Sequence, residues 1–170
     1  MNKKNKLALV VGLSCSIQVM ADTTLTGGWQ IHDMNLASSS TSEAIEKVVK
    51  EMNFFVRSIA RSRLEEEAQV CQRWSLLLTE QTFKWQCTDG PQWTVNTHSN
   101  TKLKGDDGRE IQASFSQVGD RVSVTLQSER GTRTHSWEER GDEMKYFSTL
   151  MSEKLPKPLE WSLDYQRLAQ

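Results

Sequence analysis

The sequence predicts a mainly β protein: an antiparallel up-and-down β-barrel of about nine strands, capped by one long α-helix between the first and second strands. Three observations lead there. Apolar residues alternate along most of the chain beyond residue 70, as in Phe83/Trp85/Cys87, Ile111/Ala113/Phe115, Val122/Val124/Leu126 and Leu159/Trp161/Leu163/Tyr165. That is the period of a strand with one face turned inward. The joints between these stretches, TDGP, GDDG, VGD, ERG and RGD, are short and turn-rich, as antiparallel neighbours require. One stretch, EAIEKVVKEMNFFVRSIA over residues 43–60, has helical period instead.

The chain opens MNKKNKLALVVGLSCSIQVMA. A lysine-rich head, a short apolar run and small residues before Asp22 have the layout of a cleavable secretory signal, and the run is shorter than the ~20 residues a membrane span needs. Residues 1–21 are therefore expected to be removed, leaving residues 22–170 as a single domain in a bacterial periplasm. Cys15 offers a rival reading, a lipoprotein anchored at that cysteine, but Leu13 stands one place from where such signals carry it. Removing Lys3, Lys4 and Lys6 with no acid takes the net charge from −1 to −4. A mildly acidic surface argues against a nucleic-acid partner.

The first strand is expected in TTLTGGWQIHD, around Leu25, Trp29 and Ile31. A polar ASSSTS linker follows. Ser40 and Glu43 have the spacing of a capping box, in which each side chain satisfies an unpaired backbone N–H, so a helix is expected over residues 43–62. Ile45, Val48, Val49, Met52, Val56 and Ile59 make its apolar stripe, while Glu43 with Lys47 and Glu46 with Lys50 lie four apart on the other side. The stripe must be buried against something, and the barrel mouth is at hand. Strands are then expected over 70–79, 82–88, 92–97, 109–116, 120–128, 132–139, 143–152 and 159–168. Closing them into a barrel removes the exposed edges that invite aggregation.

After cleavage Cys71 and Cys87 are the remaining cysteines, and an oxidising compartment favours one disulfide. A turn over 79–82 pairs Trp74 with Cys87, Leu76 with Trp85 and Leu78 with Phe83, which agrees with their apolar faces. Cys71 then falls on the opposite parity. The bond requires either a bulge or a Cys71 in the segment entering the strand, and the second is preferred.

Gly27 and Trp29 form a G-x-W in the first strand, and Arg167 lies in the last. This resembles the calycin pattern of lipocalins and fatty-acid-binding proteins, in which an arginine of the final strand covers the tryptophan of the first. In the fatty-acid-binding branch, helical structure is inserted between strands one and two, where residues 43–62 stand here, though as one long helix. The resemblance implies a structural role for Gly27, Trp29 and Arg167, and a barrel whose interior pocket takes an apolar or amphipathic small molecule beneath the helix.

The expected pocket residues are Trp85, Trp161 and Tyr165 in the strands and Met52 and Arg63 in the helix. Inward indoles can fix a ligand head group, though they can equally fill a solid core. Projected at 100° per residue, Arg63 returns to the apolar stripe and can meet a carboxylate or phosphate at the mouth; a surface pair with the EEE run is the plainer reading. Phe54 projects to the polar face, to be covered by a loop or a partner. His32, His98 and His135 share no metal-like spacing with one another or with the cysteines, and no nucleophile elbow accompanies the serines. No metal, cofactor or catalytic role is expected. Two functions are kept: a carrier of a hydrophobic small molecule or lipid, and a module with a solid core that binds a periplasmic protein.

Overall fold

The computed structural model describes residues 25–88, 90–105 and 107–169, so the expected signal over residues 1–21 lies outside the described residues. Ten strands build one antiparallel sheet: β1 (Gly27–Ile31), β2 (Arg73–Leu78), β3 (Thr82–Cys87), β4 (Trp93–Asn96), β5 (Thr101–Lys104), β6 (Glu110–Val118), β7 (Arg121–Ser128), β8 (Gly131–Arg140), β9 (Glu143–Met151) and β10 (Leu159–Arg167). They are hydrogen-bonded in the order β4-β3-β2-β1-β10-β9-β8-β7-β6-β5. Because β1 is paired on both sides, to β2 and to β10, the sheet curls into a nearly closed up-and-down barrel. The edges of β4 and β5 share no ladder in that order, which leaves a seam. The strand missing from the sequence reading is β5, whose TKLK has a single apolar side chain, too little alternation to declare itself.

The helical insertion is a hairpin and not one long helix: α1 (Met34–Val49), a 3₁₀ turn (Phe54–Val56) and α2 (Arg57–Glu67). Asp33 starts α1, its carboxylate accepting from the backbone N–H groups of Asn35 and Leu36 at 2.8 and 3.0 Å. The expected capping box at Ser40 and Glu43 therefore lies inside a helix. Its hydroxyls turn inward on local partners, Thr41 donating to the Ala37 carbonyl at 3.2 Å, and Ser40 reaches the Ser162 carbonyl of β10 at 3.5 Å. Small side chains let α1 lie close against that strand.

Asn53 breaks the helix. Its backbone is extended (φ −60°, ψ 135°) and its side chain accepts from the Phe55 N–H, so it caps a second segment with a new phase. Arg57 closes the bend by donating to the Met52 and Lys50 carbonyls at 3.0 and 2.9 Å. The expected stripe is thereby divided. Ile45, Val48 and Val49 are buried and Met52 is half-buried, whereas Val56 and Ile59 are exposed. Phe54 has no covering loop and is 75 % exposed. Glu46 pairs with Arg61 of α2, not with Lys50, and that guanidinium holds its carboxyl below the ordinary value.

The register of β2 on β3 pairs Trp74 with Cys87, Leu76 with Trp85 and Leu78 with Phe83. Cys71 precedes β2 and is bonded to Cys87, with Cα atoms 5.6 Å apart. The bond therefore staples the end of the helical hairpin to the barrel wall. Replacing both cysteines with serine is expected to cost about 3 kcal/mol, the loop-closure entropy of a loop of this size. A denaturant midpoint unchanged by that double substitution would show that the staple adds nothing.

At the end of the barrel away from the helices, Trp29 is fully buried and its indole N–H donates to the Leu25 carbonyl at 2.9 Å. The Arg167 guanidinium lies 4.1 Å from the Trp29 ring centroid and pairs with Glu139 at 3.1 Å. Gly27 has φ +142°, and a Cβ there would sit 3.2 Å from Arg167 Nη1, so glycine is what admits the arginine.

Candidate functional site

Alternation along each strand decides what faces the lumen. On β8 that parity carries Arg133, His135 and Trp137; on β9, Tyr146, Ser148 and Leu150; on β10, Trp161, Leu163 and Tyr165. The ladders set His135, Ser148 and Trp161 side by side across the three strands, with Trp137, Tyr146 and Leu163 in the next row. From the opposite wall Trp74 meets Trp137 edge to face at 5.6 Å and lies 5.4 Å from Tyr146. Phe83 stacks on Trp85 at 5.7 Å and meets Trp137 at 5.2 Å. Such contacts are worth about 0.5–1.5 kcal/mol each beyond burial.

Polar atoms are set into this aromatic shell. The Nε1 atoms of Trp74, Trp137 and Trp161, Ser148 Oγ and Arg133 Nε are buried and have no hydrogen-bond partner within the protein. Most such groups in folded proteins are paired, so the four on the β8–β10 wall, with Trp74 facing them from β2, mark a place that offers donors. His135 Nδ1 and the Tyr146 hydroxyl lie 2.7 Å apart. Burial, aided by the nearby Arg133 charge, pushes the imidazole well below its ordinary value, so it is neutral near pH 7. Burial raises the Tyr146 phenol, with the nearby Arg133 charge pulling the other way; the Ser148 hydroxyl lies near it without meeting hydrogen-bond geometry.

A histidine held below its unfolded value of 6.5 ties stability to pH. Below that value the unfolded chain takes up a proton that the folded chain refuses, so stability is present above pH 6.5 and lost as pH falls. The expected loss is up to about 1.4 kcal/mol per pH unit below 6.5. His135→Asn should flatten melting temperature against pH over the first unit below 6.5; a variant with the same slope as the parent would assign the loss to another group. Glu139, raised by burial, acts in the opposite direction and only as pH approaches the carboxylate range.

The expected pocket residues separate in the structure. Trp85 is buried and stacks on Trp93 at 6.3 Å. Trp161 is buried with the Arg133 guanidinium 5.5 Å from its ring centroid. Tyr165 is buried, donates to the Cys71 carbonyl at 2.7 Å, and so supports the segment behind α2. Met52 sits half-buried at the hairpin bend, and Arg63 is exposed. The break at Asn53 resets the projection that would have brought Arg63 to the apolar stripe. The arginine at the mouth is instead Arg133, whose guanidinium holds the Glu67 carboxylate at 3.2 Å and donates to the Glu67 carbonyl. Sequence reasoning also missed Ser148 and the His135–Tyr146 pair. The period-two pattern of RTHSW places Arg133, His135 and Trp137 on one face and was the available signal.

The mouth is closed by α1 and α2, tied down by Arg133–Glu67 and by Lys157–Glu51. Near the seam the inward-facing apolar side chains Trp93, Leu103 and Phe115 are half-buried where they pack against the core, as are Leu126 on β7 and Leu150 on β9. A groove of about 270 Å³ also runs outside the barrel, where the start of α1 meets β10. Asp33, in that groove, spends its carboxylate on the helix cap. Among the described residues no three His, Cys, Asp or Glu side chains are grouped to hold a metal, and no helix is long and apolar enough to cross a membrane.

No family model and no curated protein matches the sequence. Solved structures do. A "REP1-NXSQ fatty acid transporter" superposes with a TM-score of 0.53 at 12 % identity, over 86 % of this chain and 97 % of that one. Fatty-acid-binding protein 1 of Echinococcus granulosus gives 0.52 at 11 %, over 85 % and 98 %. A "secretary abundant heat soluble (SAHS) protein" from Ramazzottius varieornatus gives 0.56 at 11 %, over 87 % and 98 %. At these identities the likeness is one of fold, and the chain has a calycin-like up-and-down barrel with a helical hairpin between its first two strands.

Proposed function

We propose that this protein is a non-enzymatic carrier that binds a hydrophobic or amphipathic small molecule in the barrel lumen, beneath the helical hairpin. The observation that carries this reading is the barrel interior itself, where inward apolar side chains, some only half-buried, share the lumen face with buried donors that have no protein partner. A pocket of that kind, largely apolar with few polar groups, suits a small molecule. Support also comes from structures of the same fold titled as a fatty acid transporter and a fatty-acid-binding protein. We assign the carrier to a bacterial periplasm on the signal-like layout of residues 1–21. Mass spectrometry of apolar compounds copurifying with the mature protein tests the reading, together with tryptophan quenching on titration with an apolar series. A copurified lipid-like compound and saturable quenching are expected; neither appearing would overturn it.

One observation favours the second reading, a module that docks another protein. Phe54, Phe55, Val56 and Ile59 are exposed on the 3₁₀ turn and the start of α2, at 75, 84, 48 and 62 %. A contiguous apolar patch of this kind is a common contact surface. Specific retention of a periplasmic protein, lost in Phe54→Ser/Phe55→Ser, would support it.

A further inference from the structure

We propose that the polar end of the bound molecule is uncharged and accepts hydrogen bonds, as an ester, ketone or quinone carbonyl does, and that it seats against Trp161, Ser148 and Trp137. This rests on the reading of the lumen as a binding site. The first argument is the chemistry of the unpaired atoms. An indole N–H can only donate, and Trp137 and Trp161 present two such groups, 0 and 6 % exposed, with the Ser148 hydroxyl, 1 % exposed, in the row beside Trp161. Their complement is an acceptor.

The second argument is charge. The inward-facing cations of the described strands are Arg133 near the helices and Arg167 at the far end, and each holds a carboxylate: Glu67 at 3.2 Å and Glu139 at 3.1 Å. Between them the wall is neutral, since His135 is kept uncharged by burial and the Tyr146 phenol is raised. A carboxylate seated on the same indoles would bring a further charge into a lumen whose two cations are already ion-paired, Arg133 keeping only its Nε donor free, and would lose its hydration in doing so. A carbonyl satisfies the donors without that cost. Arg133 also restrains the hairpin through Glu67, so recruiting it for a ligand carboxylate would require breaking the closure of the mouth.

The test is displacement of an apolar fluorescent dye from the mature protein by methyl palmitate, palmitate and hexadecane, at a pH well above the carboxylate range. Methyl palmitate is expected to compete about tenfold better than either of the others, the equivalent of one extra net hydrogen bond. Trp161→Phe and Ser148→Ala remove donors while keeping most of the shape, and each should weaken methyl palmitate several-fold without changing hexadecane. Glu67→Gln, which releases Arg133, should improve palmitate selectively. Palmitate competing as well as the ester in the parent protein would overturn the proposal, and so would donor-removing variants that leave the ester unaffected. If the dye and all three compounds fail to bind, the carrier reading falls and this inference with it.

Discussion

Trp29→Ala is expected to lower the melting temperature by about 10 °C, from a loss of about 4 kcal/mol. The indole is fully buried, anchors the Leu25 carbonyl through its N–H, and carries the Arg167 guanidinium on its face. Truncation empties a large volume at the closed end of the barrel and leaves Arg167 without its platform. Two further substitutions separate these contributions. Arg167→Met keeps a covering chain but loses the cation–π contact, worth about 1–2 kcal/mol when partly desolvated, and leaves Glu139 without that guanidinium. Gly27→Ala leaves Trp29 intact but strains a φ of +142° and crowds Arg167 Nη1. A Trp29→Ala protein melting within a degree or two of the parent would mean that this end of the barrel does not hold the fold together.

Val48→Asp should destabilise by about 4 kcal/mol, chiefly because it puts an unpaired carboxylate where Val48 is 2 % exposed. Val48 belongs to the buried face of α1 with Ala44, Ile45 and Val49, the face that packs on the barrel. The matching control is Ile59→Asp, in α2, where the side chain is 62 % exposed and little loss is expected. Thermal melts of the two variants distinguish a hairpin docked through α1 from one docked through a continuous stripe over residues 45–59. Equal losses would restore the continuous stripe, and no loss in Val48→Asp would detach the cap from the barrel.

Much of the architecture was legible before any coordinates. Alternation in β3, β6, β7 and β10, together with short turns, reports strand direction and facing because a strand's period is two whatever surrounds it. The β2–β3 register followed from matching apolar faces, and it led to the position of Cys71 ahead of β2. The helical insertion was legible in kind but not in form. Asp33 and Asn53 act as caps through local hydrogen bonds that many polar residues could make, and SSSTS reads as linker because serine and threonine compete with the backbone. What keeps that run helical is the close seat of α1 on β10, a contact between residues more than a hundred positions apart.

The candidate site was legible only as a list of aromatic residues. Trp85, Trp161 and Tyr165 were named from their alternation; Trp161 does carry an unpaired donor, but Tyr165 spends its hydroxyl on Cys71, and Ser148 and Arg133 join the unpaired donors without having been named. Nothing local marks Ser148 as a lumen residue of this cluster until β8, β9 and β10 are laid side by side.

By itself the sequence determined the strand pattern, the disulfide partners and the presence of a helical cap, since periodicity, turn chemistry and cysteine count act over a few residues or by elimination. Tertiary structure alone decided that the cap is a hairpin latched by Arg133 to Glu67, and that buried, unpaired donors gather on the inward face of β8, β9 and β10. Those features depend on which side chains meet across closed strands, and no spacing along the chain encodes that meeting.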